Sequence, residues 1–145
     1  KKHDYPRARD EFLRDAAVEP DLALDYEQLG DVYWLMQDDN NAETSYPQAL
    51  RQDPRLVNSH LGLAKIYQRQ DKLAPALVEI TAAVKLDPAR TDVHYMRGQV
   101  LLHMGRKQEA KTELAAAVSA EHDAGRQKPA ETGPVPSPEL KQDPQ

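Results

Sequence analysis

The residue types that most often perform chemistry are few in this chain, and no spacing among them marks a metal or catalytic site. There are five histidines and no cysteine among 145 residues, which excludes a thiolate zinc site, a disulfide framework and a cysteine nucleophile. A zinc site needs three or four ligands that converge at about 2 Å. His60 and His94 lie 34 residues apart, at equivalent positions of the repeat described below, so we expect both to pack rather than to bind a metal. We expect His103 to face outward or toward a groove.

Two short motifs could suggest chemistry but lack the residues around them that it needs. The run Asp38-Asp39-Asn40-Asn41 has neither the alternating acids, the central glycine nor the distant glutamate of a calcium loop. We expect a turn there, with Asn40 or Asn41 capping the following helix. Ser59 precedes His60, but no strand–turn–helix elbow surrounds it. We therefore predict that the chain is not an enzyme and has no cofactor and no metal site.

Composition narrows the classes of partner. The net charge is −5 and the basic residues are scattered, whereas a nucleic-acid-binding protein normally shows a basic stripe. No apolar run approaches the roughly 18–20 residues needed to span a bilayer, so we expect no membrane insertion. The sequence starts at Lys1 without a methionine, and we interpret it as a piece of a longer protein. Its targeting signal would then lie elsewhere, and the compartment stays open.

A 34-residue period organises the chain. Pro20, Pro54 and Pro88 lie 34 residues apart, and each follows an acidic residue. Such a period is the signature of a repeat protein. The same step relates small residues to small ones and bulky apolar residues to bulky ones: Ala42, Ala76 and Ala110; Ala49, Ala83 and Ala117; Gly30, Ala64 and Gly98; Tyr33, Tyr67 and Leu101; Leu50, Val84 and Val118.

Each repeat is predicted to be two helices joined by a short turn. In the first, Tyr26, Leu29, Gly30 and Tyr33 fall at i, i+3, i+4 and i+7, which places them on one helix face. A polar break at 37–40 precedes a second apolar face, and similar breaks follow at 70–72 and 104–106. No stretch alternates with the period of two that a strand requires. The predicted units are 21–56, 57–90 and 91–124.

Prolines set the boundaries of these helices and interrupt one of them. Asp-Pro closes the first two units, since proline cannot continue a helix. Pro47 falls inside a second helix, so that helix should kink or be shorter than its siblings. Pro75 falls near the first turn of its helix, where a missing N–H is harmless.

The two ends of the chain are interpreted separately. Residues 1–20, with Ala8 and Phe12 in register, read as the turn and second helix of a preceding partial repeat. Residues 125–145 are rich in proline and cannot bury a core, because they favour extended conformations. This tail is either a linker or a segment that docks in a groove.

The repeat resembles the tetratricopeptide repeat family, from about residue 4 to residue 124. The third unit departs most, with Arg97 in place of leucine and His122 in place of the closing proline. The resemblance implies an all-α, right-handed α-solenoid of three full hairpins and an N-terminal half-repeat. The family consensus is matched in the first unit by Tyr26, Leu29, Gly30, Tyr33, Ala42, Tyr46, Ala49 and Pro54.

The resemblance also implies peptide or protein binding on a concave face formed by the first helix of each unit. Trp34 and Tyr95 are of the types enriched at interface hot spots, although either ring could instead pack against the adjacent repeat. The expected groove residues are Leu24, Glu27, Asp31, Trp34, Asn58, Leu61, Lys65, Gln68, Asp92, Tyr95, Gln99 and Leu102.

One subclass of the family holds the acidic C-terminal tail of heat-shock chaperones in a carboxylate clamp of lysine, asparagine and arginine side chains. Here the first helix offers Glu27 and Asp31, the second has Gly62 where asparagine is expected, and the third has Asp92 and Met96. The clamp is therefore not expected. These acids favour a neutral-to-basic partner with apolar anchors.

Two other functions remain open at the sequence level. Terminal repeats normally carry a polar cap, and no further amphipathic helix follows to cover Leu114, Ala117 and Val118. Copies of the chain could therefore assemble through their repeat ends as a homo-oligomer. The chain could also be the regulatory arm of a larger enzyme.

Overall fold

The fold is a row of helix hairpins. The computed structural model describes residues 4–18 and 23–126, without the side chain of residue 16. These residues form seven helices and no strand, which confirms the predicted all-α solenoid. Each pair α2–α3, α4–α5 and α6–α7 packs as a hairpin, and each hairpin packs on the next. The helices are α1 Tyr5–Val18, α2 Ala23–Leu35, α3 Asp39–Gln52, α4 Val57–Arg69, α5 Leu73–Leu86, α6 Thr91–His103 and α7 Lys107–Arg126.

The three hairpin turns share one geometry. Gln37, Asp71 and Gly105 occupy the same repeat position and all have left-handed backbone, with φ of 60°, 58° and 75°. In the first turn the N–H of Asp38 donates to the carbonyl of Tyr33 at 2.9 Å, and the other two turns repeat this bond. The bond satisfies a carbonyl at the end of the first helix while the left-handed residue reverses the chain.

The acidic turn before α3 is a helix cap. The Asp38 carboxylate accepts hydrogen bonds from the backbone N–H of Asn41 at 3.2 Å and from its side-chain amide at 2.7 Å. Asp38 is therefore the N-cap, and the expectation that Asn40 or Asn41 caps this helix is wrong. Helix α3 begins earlier than expected, so both asparagines already lie in its first turn.

Helix α3 continues through Pro47. It has 14 residues, as many as its equivalent α5, so the alternative of a shortened helix is wrong. Pro75 is the third residue of α5, where its missing N–H leaves no intrahelical carbonyl unpaired.

Small residues let the two helices of each hairpin approach closely. The six alanines that keep the 34-residue step at the hairpin interfaces have no exposed surface: Ala42, Ala49, Ala76, Ala83, Ala110 and Ala117. Larger side chains fill the space beside them. The Tyr46 ring, 1% exposed, lies between Gly30 of α2 and Gly62 of α4 and leaves no room for a Cβ at either glycine.

Some predictions concern residues outside the described ranges. Pro20 and the proline-rich part of the tail from residue 127 onward are among them. Helix α7 includes Gly125 and Arg126, which the sequence pattern had assigned to the tail. Helix α1 packs against α2, and its interpretation as half of a preceding repeat stays a prediction, as do the unit boundaries.

Candidate functional site

A cavity of about 200 Å³ opens between α2 and α4. We call it the first-helix cavity. Five of the twelve expected groove residues meet there: Asp31, Trp34, Asn58, Leu61 and Lys65. Of the other three lining residues, Gly62 is the position where a carboxylate clamp needs asparagine, whereas the sequence analysis did not place Tyr46 or Arg90 at a groove.

Tyr46 reaches this cavity from the second helix of the hairpin. Its ring passes between the two glycines, and its hydroxyl donates to Asp31 Oδ1 at 2.8 Å. Burial raises the pKa of Tyr46, and the carboxylates of Asp31 and Glu27 raise it further. Burial also raises the pKa of Asp31, against the opposing effects of the Tyr46 hydrogen bond and of Lys65. Tyr46 therefore fixes the orientation of one acidic group at the cavity.

Arg90 ties the rim of the cavity to the next hairpin. Its guanidinium donates to Asn58 Oδ1 at 2.7 Å and to both carboxylate oxygens of Asp92, at 2.8 and 3.0 Å. The Arg90 hydrogen bond lowers the pKa of Asp92. The charge of Asp92 is thus paired within the protein. The signal in the sequence was the spacing of Arg90 two residues before Asp92, at the start of α6.

Trp34 packs against the next repeat, and its role as an interface hot spot stays a prediction. The Arg69 guanidinium of α4 lies 3.5 Å from the centroid of the Trp34 ring, and Arg69 also pairs with Asp39 at 3.2 Å. A stacked arginine adds cation–π attraction to the packing. Trp34 therefore packs against the next repeat and also borders the first-helix cavity.

One expected groove position lies mostly inside the solenoid. Glu27 and Leu61 are equivalent in the repeat, and they are only 8% and 3% exposed. The Ser59 hydroxyl donates to Glu27 Oε2 at 2.7 Å, so this carboxylate already has a partner inside the protein. Tyr95, at the same repeat position, is 49% exposed, because no later hairpin covers it within the described residues.

The other expected groove residues lie outside this cavity. Leu24 and Leu102 are 58% and 47% exposed, Gln99 is exposed and Gln68 is half-buried. Their contact with a guest stays a prediction.

The histidines at equivalent positions make hydrogen bonds rather than apolar contacts alone. His60 Nδ1 lies 2.7 Å from Glu79 Oε2, and His94 Nδ1 lies 2.9 Å from Glu113 Oε2. Ser59, next to His60 in sequence, is bonded to Glu27 instead, so the two do not form a nucleophile and base. The described residues contain no group of three or more His, Cys, Asp or Glu side chains that could hold a metal ion. No described helix is both long and apolar enough to cross a bilayer.

Comparison with known proteins agrees with the fold. The family model described as Tetratricopeptide repeat matches residues 26–56 and 91–122. A crystal structure of MamA is 14% identical with a TM-score of 0.78, over 81% of this chain and 69% of that chain. The MamA RS-1 ArsTM double mutant is 18% identical with a TM-score of 0.79, over 86% and 70%.

A third solved structure is the first TPR of Spaghetti (RPAP3) bound to HSP90 peptide SRMEEVD. It is 24% identical with a TM-score of 0.67, and the match covers 70% of this chain and 81% of that chain. No curated protein sequence matches. The 34-residue repeat, the stacked hairpins and the matched family model show that residues 26–56 and 91–122 are tetratricopeptide repeats.

Proposed function

We propose that this chain is a non-catalytic scaffold that binds a polypeptide segment of a partner protein on the face formed by its first helices. The observation that carries this function is the first-helix cavity, which gathers five residues that the family resemblance had assigned to a groove. Its wall combines an aromatic ring, an apolar floor at Leu61 and several polar groups. This mixture is typical of sites that fix the orientation of a ligand.

The guest proposed here differs from an acidic C-terminal tail. The Spaghetti structure contains an HSP90 peptide, but this chain has Gly62 where a carboxylate clamp needs asparagine. A Cβ at Gly62 would overlap the Tyr46 ring, so the packing of the hairpin leaves no room for that side chain. Asp31 adds a negative charge beside the same space. We therefore propose a neutral-to-basic segment with apolar anchors.

A peptide display library, selected against the 145-residue chain, tests this function. We expect selected peptides to lose affinity for the Trp34→Ala variant, because truncating an interface aromatic removes a large contact area. Val78→Ala is the matched control, since Val78 is 66% exposed on α5 and does not line the cavity. Equal binding to both variants, or no selection of peptides at all, would remove the proposed function.

A second candidate function is self-association through α7. Val118 is 59% exposed, whereas its equivalents Leu50 and Val84 are half-buried beneath the following hairpin. Light scattering over a concentration series tests this candidate. A mass that grows with concentration, and that Val118→Glu returns to the monomer value, supports it; a monomer throughout contradicts it.

A further inference from the structure

Adjacent repeats place opposite charges at one equivalent position of the first-helix face. Asp31 of α2 and Lys65 of α4 are 34 residues apart, both are exposed, and both border the first-helix cavity. The third repeat has the uncharged Gln99 at this position. The charge therefore changes sign between the two repeats that form the cavity.

The Asp31 carboxylate is oriented but not neutralised. Tyr46 occupies only its Oδ1, and the enclosure of the Tyr46 ring between Gly30 and Gly62 keeps that hydroxyl in place. Within residues 4–18 and 23–126, Asp31 forms no ion pair. Its Oδ2 is left to accept a hydrogen bond from a guest.

Lys65 is the complementary group. It forms no ion pair and no side-chain hydrogen bond in the part of the chain that the structure describes. Arg90, the other cation at the cavity, is occupied by Asp92 and Asn58. Lys65 is thus the cavity cation that a guest can pair with without breaking a hydrogen bond or an ion pair, because its attraction to the Asp31 carboxylate acts without direct contact.

We propose that the guest segment is recognised by a pair of opposite charges: a lysine or arginine that pairs with Asp31, and an aspartate or glutamate that pairs with Lys65. This inference rests on the proposed function and specifies its ligand. Helices α2 and α4 pack together, and the axes of packed helices lie about 8–10 Å apart. Asp31 and Lys65 hold the same repeat position on these two helices, so we expect their separation to be close to that of the axes. An extended chain rises about 3.3 Å per residue, which would place the two guest residues two or three positions apart. The Trp34 ring, which is only partly buried, offers apolar contact to the side chain between them.

The test uses a randomised peptide display library against the 145-residue chain and two variants, Asp31→Asn and Lys65→Gln. Each variant keeps the approximate size of the side chain and removes its charge, and the amide oxygen introduced by Asp31→Asn can still accept from Tyr46. We expect peptides selected by the unmodified chain to be enriched in a basic and an acidic residue two or three positions apart. Peptides selected by Asp31→Asn should lose only the enrichment in the basic residue, and peptides selected by Lys65→Gln should lose only the enrichment in the acidic residue. Affinity for a peptide selected on the unmodified chain should fall about tenfold in either variant, as loss of a charged hydrogen bond implies.

The double variant Asp31→Lys with Lys65→Asp keeps the net charge and reverses the polarity of the site. It should select the two guest charges in the opposite order along the peptide. If peptides are selected and need Trp34, yet show no charge pair or the same pair with every variant, this inference is wrong and the proposed function stands. If no peptide depends on Trp34, the proposed function fails and the inference fails with it.

Discussion

The imidazole Nδ1 of His94 lies 2.9 Å from Oε2 of Glu113. The other ring nitrogen, Nε2, lies 2.7 Å from the carbonyl oxygen of Pro88. The Glu113 carboxylate and the Pro88 carbonyl can only accept hydrogen bonds. Both ring nitrogens can therefore donate to them only when each carries a proton, as in the imidazolium. His60 repeats the arrangement with Glu79 at 2.7 Å and with Pro54 at 3.2 Å.

These two histidines predict a stability that depends on pH. The Glu79 hydrogen bond raises the pKa of His60 in spite of burial. Burial lowers the pKa of His94, but the hydrogen bonds to Glu113 and Pro88 outweigh it and the net shift is upward, even with Arg97 nearby. A raised folded-state pKa contributes stability that is complete below the unfolded value of about 6.5 and is lost as pH rises through the folded value. We therefore expect the urea midpoint to fall as pH rises from about 6 to about 8.

The control for this prediction replaces the histidines by a side chain that does not titrate. In the double variant His60→Gln with His94→Gln, the urea midpoint should be lower at pH 6 and nearly flat across the same range. His103→Gln alters an exposed histidine and should keep the wild-type slope. A wild-type slope in the double variant would show that other groups cause the pH dependence.

The proline inside α3 predicts a stabilising substitution. An interior proline costs an intrahelical hydrogen bond and is about 3 kcal/mol less favourable than alanine. Pro47→Ala should therefore raise the free energy of unfolding by about 1–3 kcal/mol, measured by urea denaturation followed by circular dichroism. Thr81→Pro places proline at the equivalent position of α5 and should lower stability by a similar amount or more. If Pro47→Ala is neutral, the helix has already adapted to proline.

At the left-handed residue of the hairpin turn, introducing glycine should stabilise the protein and removing glycine should destabilise it. Gln37 and Asp71 adopt φ near +60°, which glycine also adopts at Gly105. A non-glycine residue in this conformation costs about 1–2 kcal/mol, part of which glycine loses again through its greater freedom in the unfolded chain. Gln37→Gly should stabilise by about 0.5–1 kcal/mol and Gly105→Ala should destabilise by about 1 kcal/mol. Thermal unfolding of the two variants checks both signs, and a loss of stability in Gln37→Gly would contradict the argument.

The sequence predicted the structural features that recur with the 34-residue period. It missed the side-chain contacts that occur in only one repeat. Helix faces, turns and interface alanines followed from repeated residues, because equivalent positions have equivalent neighbours. The sequence did not predict that Tyr46 reaches Asp31, since this needs glycine at both Gly30 and Gly62, on different repeats. Glu27 was expected on the open face for a related reason: its partner Ser59 lies in the next hairpin, and periodicity within one helix does not reveal it.

An added methyl group should cost more stability at Gly62 than at Gly98. A Cβ at Gly62 would overlap the Tyr46 ring, while a Cβ at Gly98 would lie 2.8 Å from Cδ2 and 2.9 Å from Cγ of Leu114. The Tyr46 ring cannot turn away, because Gly30 bounds its other side and its hydroxyl is bonded to Asp31. Leu114 is half-buried, and we expect rotation about its Cα–Cβ bond to move both carbons away. We expect Gly62→Ala to destabilise by about 1–3 kcal/mol, as overpacking does.

At Gly98, the better helix propensity of alanine offsets the contact with Leu114, so Gly98→Ala should change stability by less than about 1 kcal/mol. A double-mutant cycle separates the clash from propensity, which is the same at both glycines. Tyr46→Leu should by itself be destabilising, yet it should remove most of the cost of Gly62→Ala, because the ring that the methyl group strikes is gone. Urea denaturation of the single and double variants measures this coupling. Additive effects would mean that the ring is not what excludes a side chain at Gly62.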